Sequence, residues 1–241
     1  MDFSLTDEQQ LIVESTRRFV ERELYPHEQE IENTGVLRDE LRRELKAKAI
    51  AAGLYAANMP AELGGGGLDT LTWVLYEKEL GRANYALHYT CVARPSNILL
   101  ACVGEQRERY LLPCVRGEKM DCLALTEPGA GSDLRSIRTS AVPSGDSFVI
   151  NGSKHFISHA DYADFVIVFA ATSTEASPRG PRARLTAFLV DKGHPGFAVR
   201  EGYRNVSHRG YNNCILEFDN CRVPAAAILG ELHQGLEVAN S

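Results

Sequence analysis

Long apolar runs are missing from this 241-residue sequence. No stretch approaches the roughly 18–20 apolar residues that a membrane-crossing helix needs, so no membrane span is expected. No Cys-x-x-Cys pair occurs. Cys91, Cys102, Cys114, Cys122, Cys214 and Cys221 therefore read as reduced core residues, not as a disulfide framework or a metal site, which points to a cytoplasmic location. Basic clusters are missing too. The 26 Lys and Arg are scattered among 32 Asp and Glu, and a net charge of −6 argues against a nucleic-acid surface. Acids stand in the first residues (Asp2, Asp7, Glu8) where a secretory signal would carry bases, so no such signal is expected. No internal repeat and no low-complexity tract appears.

What is present is an ordinary globular composition, 44% apolar and 24% charged, in a chain long enough for two domains. Thr6-Asp7-Glu8-Gln9 is a capping box. Ile12, Val13, Phe19, Val20 and Leu24 follow at helical spacing, and Tyr25-Pro26 is expected to end that helix. Leu37, Leu41, Leu45 and Ile50 predict a second helix stopped by Gly53, and Leu68 to Leu80 a third with Gly81 as C-cap. Gly64 to Gly67 lack the Lys-Ser/Thr of a phosphate loop and read as a flexible connection. Tyr85 to Val103 is largely apolar, and Arg107 to Leu112 closes the helical part. Beyond about Val115 the period changes. Asn151-Gly152 between two apolar runs predicts a hairpin turn. Phe165 to Ala171, Leu185 to Val190, Phe197 to Val199 and Cys214 to Phe218 predict strands, Thr172 to Arg184 a surface loop, and Leu232 to Val238 the start of another helix. The expected fold class is α+β: a helical domain over 1–115, a β domain over 116–225, and a helix begun over 226–241.

One stretch reads as chemistry: Cys122-Leu-Ala-Leu-Thr-Glu-Pro-Gly-Ala-Gly-Ser-Asp133. A short strand, Leu123 to Leu125, runs into a turn whose Gly129 and Gly131 are expected to allow positive φ and close approach of a ligand. Thr126 and Ser132 add hydroxyls, and converging backbone N–H groups would suit an anion such as a phosphate. From composition alone, an Asx- or Pro-initiated turn without a ligand is the better account of the stretch.

The strings LTDEQQLIVESTRRFVERE, MPAELGGGGLD, ALTEPGAGSD, INGSKHFIS and LEFDNCRVP, in this order, resemble the acyl-CoA dehydrogenases over nearly the whole chain. The resemblance implies a helical N-terminal domain and a β-barrel-like middle domain. It implies FAD as cofactor, an acyl-CoA thioester as substrate, oxidation to the 2,3-enoyl-CoA with hydride transfer to flavin N5, an electron-transferring flavoprotein as acceptor, and a homo-oligomer. Carried over by motif position, Leu123, Leu125 and Thr126 would face the flavin ring. Gly131 and Ser132 would lie at its pyrophosphate, with Ser132 also at the pantetheine arm. Phe156, Ile157 and Ser158 would form a second flavin contact, with Phe and Ser where many members carry Trp and Thr. Phe156 read without the family would be a hairpin core residue.

Glu127 and Asp133 invite an acid/base reading, but the resemblance gives neither a catalytic role, and turn-shaping is the expectation. His88, His155 and His159 are isolated. Arg94, in an apolar segment, reads either as a contact for a polar acyl end or as a surface side chain. In the family the base is a glutamate of a C-terminal helical bundle, at positions past the match to Ser241. No catalytic residue is therefore assigned, and the chain reads as truncated relative to the family. A silent acyl-CoA- or flavin-binding fragment, or half of a split enzyme, is the alternative; acyl-CoA oxidases share the architecture but fit the Thr126–Asp133 string less well.

Overall fold

The computed structural model describes residues 4–92, 95–178 and 180–240. They form two compact units: Met1–Pro95 with Val115–Glu118 and Asn205–Tyr211, and Ser96–Cys114 with Lys119–Arg204 and Asn212–Ser241.

In the helical unit, the Thr6 hydroxyl accepts from the Gln9 N–H while the Gln9 side chain accepts from the Thr6 N–H, which opens α1 (Asp7–Phe19). The helical path does not end at Tyr25-Pro26. A π-helical turn, Val20–Leu24, leads directly into α2 (Tyr25–Thr34), where Pro26 occupies the first turn. A proline ring there would collide with the carbonyl four residues back in a regular α-helix, and the wider π turn removes that clash. Gly35, left-handed at φ 70°, ends α2. Next come α3 (Asp39–Ala51) and α4 (Thr70–Leu80), the latter capped by Asp69 and ending at Gly81.

The glycine run is not a loose connection. The N–H groups of Gly64, Gly65, Gly66 and Gly67 donate to the carbonyls of Ala61, Pro60, Ala56 and Met59. A Cβ on Gly65 would strike the Met59 backbone, so that glycine is required for close approach. Val20, Leu24, Ile31, Leu45, Leu87 and Cys91 fill the core of this unit.

The second unit is built on one eight-stranded sheet with the order β6-β7-β3-β2-β4-β5-β8, β1 pairing with β4 outside that path. The strands are β1 (Asp121–Ala124), β2 (Ser140–Ser144), β3 (Ser147–Ser158), β4 (Phe165–Glu175), β5 (Arg182–Asp191), β6 (Phe197–Tyr203), β7 (Asn213–Pro224) and the short β8 (Ile228–Leu229). β1 and β4 are parallel, whereas β3 and β7, like β4 and β5, are antiparallel. Phe165 to Ala170 are buried without alternation, as a strand covered on both faces requires.

The expected hairpin at Asn151-Gly152 is not formed. β3 runs straight through it, with a register irregularity against β7 between Ile150 and Gly152, and the β2–β3 turn falls at Gly145-Asp146 instead. At φ 146°, Gly152 lies against Thr139, whose hydroxyl a Cβ would meet at 2.5 Å. The surface loop expected over Thr172 to Arg184 is likewise shorter, because β4 and β5 stay paired out to Glu175 and Arg182. A closing helical turn, Gly235–Ala239, follows β8.

Candidate functional site

The Cys122–Asp133 stretch leaves β1 and turns back on itself. Cys122 and Ala124 point into the sheet core, and Leu123, Leu125 and Thr126 are half-buried. The turn closes by two backbone hydrogen bonds between Glu127 and Ala130, at 2.9 and 3.2 Å. Pro128, Gly129, Gly131 and Ser132 are exposed at its tip. Neither Gly129 nor Gly131 has positive φ, contrary to the expectation from sequence. Their use is spatial, since a Cβ on either would meet nothing in the chain within 4 Å and the outer side of the turn stays open.

Both acids are committed. Asp133 accepts from the Arg135 N–H at 3.2 Å and the Ser136 hydroxyl at 2.6 Å, capping the short turn Leu134–Ser136. Glu127 is buried and anchors the turn from below. Its carboxylate accepts from the Arg138 N–H at 2.7 Å, the Thr139 N–H at 2.9 Å and the Lys154 ammonium at 2.9 Å. Burial alone would raise the Glu127 pKa, but the bonds from Thr139, Arg138 and Lys154 prevail and hold it below its ordinary value.

Lys154 is the side chain bracing this turn that the sequence reading missed. It is 0% exposed and spans from β3 to the turn, donating to the Leu125 carbonyl at 2.9 Å and to Glu127. Burial pulls its pKa down to about 8 against the opposing pull of Glu127. A signal was present: Phe148, Ile150 and Lys154 share the inward parity of β3. A second tie runs from the His155 N–H to the Thr126 carbonyl at 2.9 Å. Leu125 C=O is held toward Lys154, so in the planar trans peptide the Thr126 N–H points the other way.

β3 also carries Phe156, Ile157 and Ser158. Ile157 is a buried core residue, whose side chain is closed to any ligand. Phe156 is not in the core: a register shift between Lys154 and Ile157 turns it out, 52% exposed, at φ 58°. Its ring stacks on Tyr203 with centroids 4.2 Å apart. Among the described residues, none holds the hydroxyl of Thr126, Ser132 or Ser158. Arg94 lies outside the described residues. Two clefts in this unit are lined by other residues: one of about 380 Å³ beside Tyr203, and one of about 670 Å³ beside Tyr110 and Leu189. No group of three or more metal-ligating side chains occurs among the described residues.

The residues therefore fit a flavin in two respects. A turn open where its glycines lack Cβ atoms leaves room for a pyrophosphate, and an outward peptide N–H with uncommitted hydroxyls suits the polar edge of an isoalloxazine.

Residues 6–118 match the family model described as acyl-CoA dehydrogenase, N-terminal domain, and residues 122–221 match that described as acyl-CoA dehydrogenase, middle domain. The mitochondrial isovaleryl-CoA dehydrogenase of Pongo abelii is 34% identical over 98% of this chain and 56% of that protein. The solved butyryl-CoA dehydrogenase of Megasphaera elsdenii superposes with a TM-score of 0.83 at 32% identity, over 99% of this chain and 62% of that one. The acyl-CoA dehydrogenase of Bacillus anthracis complexed with FAD gives 0.82 at 27% identity, over 98% of this chain and 40% of that one. This chain thus spans less than two thirds of each. In the part it spans, with both matched models and the helical-then-sheet order agreeing, the chain belongs to the acyl-CoA dehydrogenase family.

Proposed function

We propose that this chain forms the helical and β-domain part, over 1–115 and 116–225, of an FAD-dependent acyl-CoA dehydrogenase that oxidises an acyl-CoA thioester to the 2,3-enoyl-CoA. The observation that carries this reading is the turn at 125–132, held rigid from beneath by Lys154 and Glu127 while its outer side stays open. Bound FAD would accept the hydride at N5. The chain's own residues would hold and orient it. Leu123, Leu125 and Thr126 would line the ring edge, with the Thr126 N–H and hydroxyl as donors that need not reorganise as charge develops. Gly131 and Ser132 would receive the pyrophosphate, Ser132 also the pantetheine arm, and Phe156, Ile157 (through its backbone) and Ser158 the far side of the ring. An electron-transferring flavoprotein is the proposed acceptor, a homo-oligomer the proposed assembly, and the cytoplasm, on six buried cysteines outside any disulfide, the proposed compartment.

The second reading, a chain that binds flavin or acyl-CoA without turnover, rests on the commitment of Glu127 and Asp133. Glu127 is buried under three donors, and Asp133 is engaged in capping the 134–136 turn. Titration of the purified chain with FAD, followed by anaerobic addition of acyl-CoA, tests them. Binding with bleaching of the flavin band supports the dehydrogenase over the silent module; binding without bleaching fits the silent module and equally a dehydrogenase part whose base lies outside 1–241; no binding at saturating FAD removes both flavin readings.

A further inference from the structure

Phe156 is a bulky residue in a left-handed conformation, φ 58°, with half its surface exposed. Such a conformation is costly for any residue with a Cβ and persists only where neighbouring structure holds it. Here the holding structure is Tyr203. Its ring lies 4.2 Å from that of Phe156 at an interplanar angle of 18°. Its phenol oxygen lies 2.8 Å from Nδ1 of His155, the residue preceding Phe156. Tyr203 is thereby fixed at both ends by two consecutive residues of β3. The pairing is not accidental packing along a regular sheet. β3 and β6 flank the same strand, β7, and each loses register against it at this point, between Lys154 and Ile157 and between Arg200 and Tyr203. Two bulges thus turn one aromatic side chain from each strand onto the other. One face of Phe156 is covered by Tyr203, and its exposure leaves the other free.

We infer that Tyr203 is a positioning residue: by stacking on Phe156 and bonding to His155, it presents the free face of Phe156 to the flavin ring. This rests on the dehydrogenase reading above. The stack fixes the Phe156 side chain before the cofactor arrives, so less side-chain freedom is lost on binding.

The test uses the full 241-residue chain with FAD as titrant. Tyr203→Ala is expected to weaken FAD binding about 2- to 10-fold, and Tyr203→Phe, which keeps the stack, by less than about 2-fold. In the cofactor-free chain, the NMR signals of the Phe156 ring should be shifted upfield by the Tyr203 ring, and this shift should survive Tyr203→Phe but vanish in Tyr203→Ala. If the unsubstituted chain shows no upfield shift, the stack is absent and the inference falls. If it does not bind FAD, the dehydrogenase reading falls and the inference with it. If it binds FAD, and Tyr203→Ala binds equally well or more tightly, the inference alone is overturned; tighter binding would mean that the Tyr203 ring stands in the flavin's place.

Discussion

Lys154 and Glu127 act as one unit, because each is buried and each satisfies the other. Removing one leaves an uncompensated buried charge, so Lys154→Met and Glu127→Gln should each cost about 3–5 kcal/mol. The double variant should cost clearly less than the sum, measured by urea unfolding of all four chains. The pH dependence has a definite sign. The Glu127 pKa is held below its ordinary carboxylate value in the folded chain, so its contribution is complete above the unfolded-state pKa and is lost as pH falls through the folded-state one. Glu127→Gln should therefore lose less stability on acidification than the unsubstituted chain. Gly131 separates ligand space from folding. With no neighbour near its Cβ position and no positive φ, Gly131→Ala should change stability by less than about 0.5 kcal/mol. On the proposed function the same methyl meets the pyrophosphate, and FAD affinity measured by fluorescence titration should drop at least about tenfold, on the order of 1.4 kcal/mol. Equal affinity would remove the pyrophosphate from this turn.

At the scale of elements, β3 shows why local signals mislead. Asn-Gly is a strong turn signal, yet at 151–152 the strand continues because β7 offers a partner on both sides of the dipeptide, from Cys221 and from Phe218. Gly152 serves instead for close approach. Gly152→Ala would drive a Cβ to 2.7 Å from the Thr139 Cα and should cost about 1–3 kcal/mol in chemical denaturation. The existence of the helices and of the strands at Phe165, Leu185, Phe197 and Cys214 was legible, since apolar period depends on neighbours along the chain. Their ends were less so. Pro26 did not stop the helix because a π turn absorbed it, and Ser173 to Glu175 stayed in the sheet because Arg182 to Arg184 paired with them. Pairing across the sheet is a long-range contact that no local composition reports.

Over the whole molecule the cysteines behave alike. All six are buried and none is in a disulfide, and burial pushes the thiols of Cys91 and Cys102 up to about 12 and those of Cys214 and Cys221 up to about 11. A thiol reagent should therefore react slowly with the native chain and count six groups after denaturation. Rapid native reaction of even one would contradict the packing of these cores. The sequence by itself determined the order of the parts, a helical unit before a sheet, and picked out the 122–133 stretch, because hydrophobic period and short motifs are written along the chain. Only the tertiary structure decided that Gly129 and Gly131 are open rather than strained, that Lys154 is a buried strut under Leu125 and Glu127, and that Phe156 turns outward onto Tyr203. Each of these depends on which strand lies beside which and on where a bulge falls, and a single residue of slip in β3 would reverse every one of its side chains.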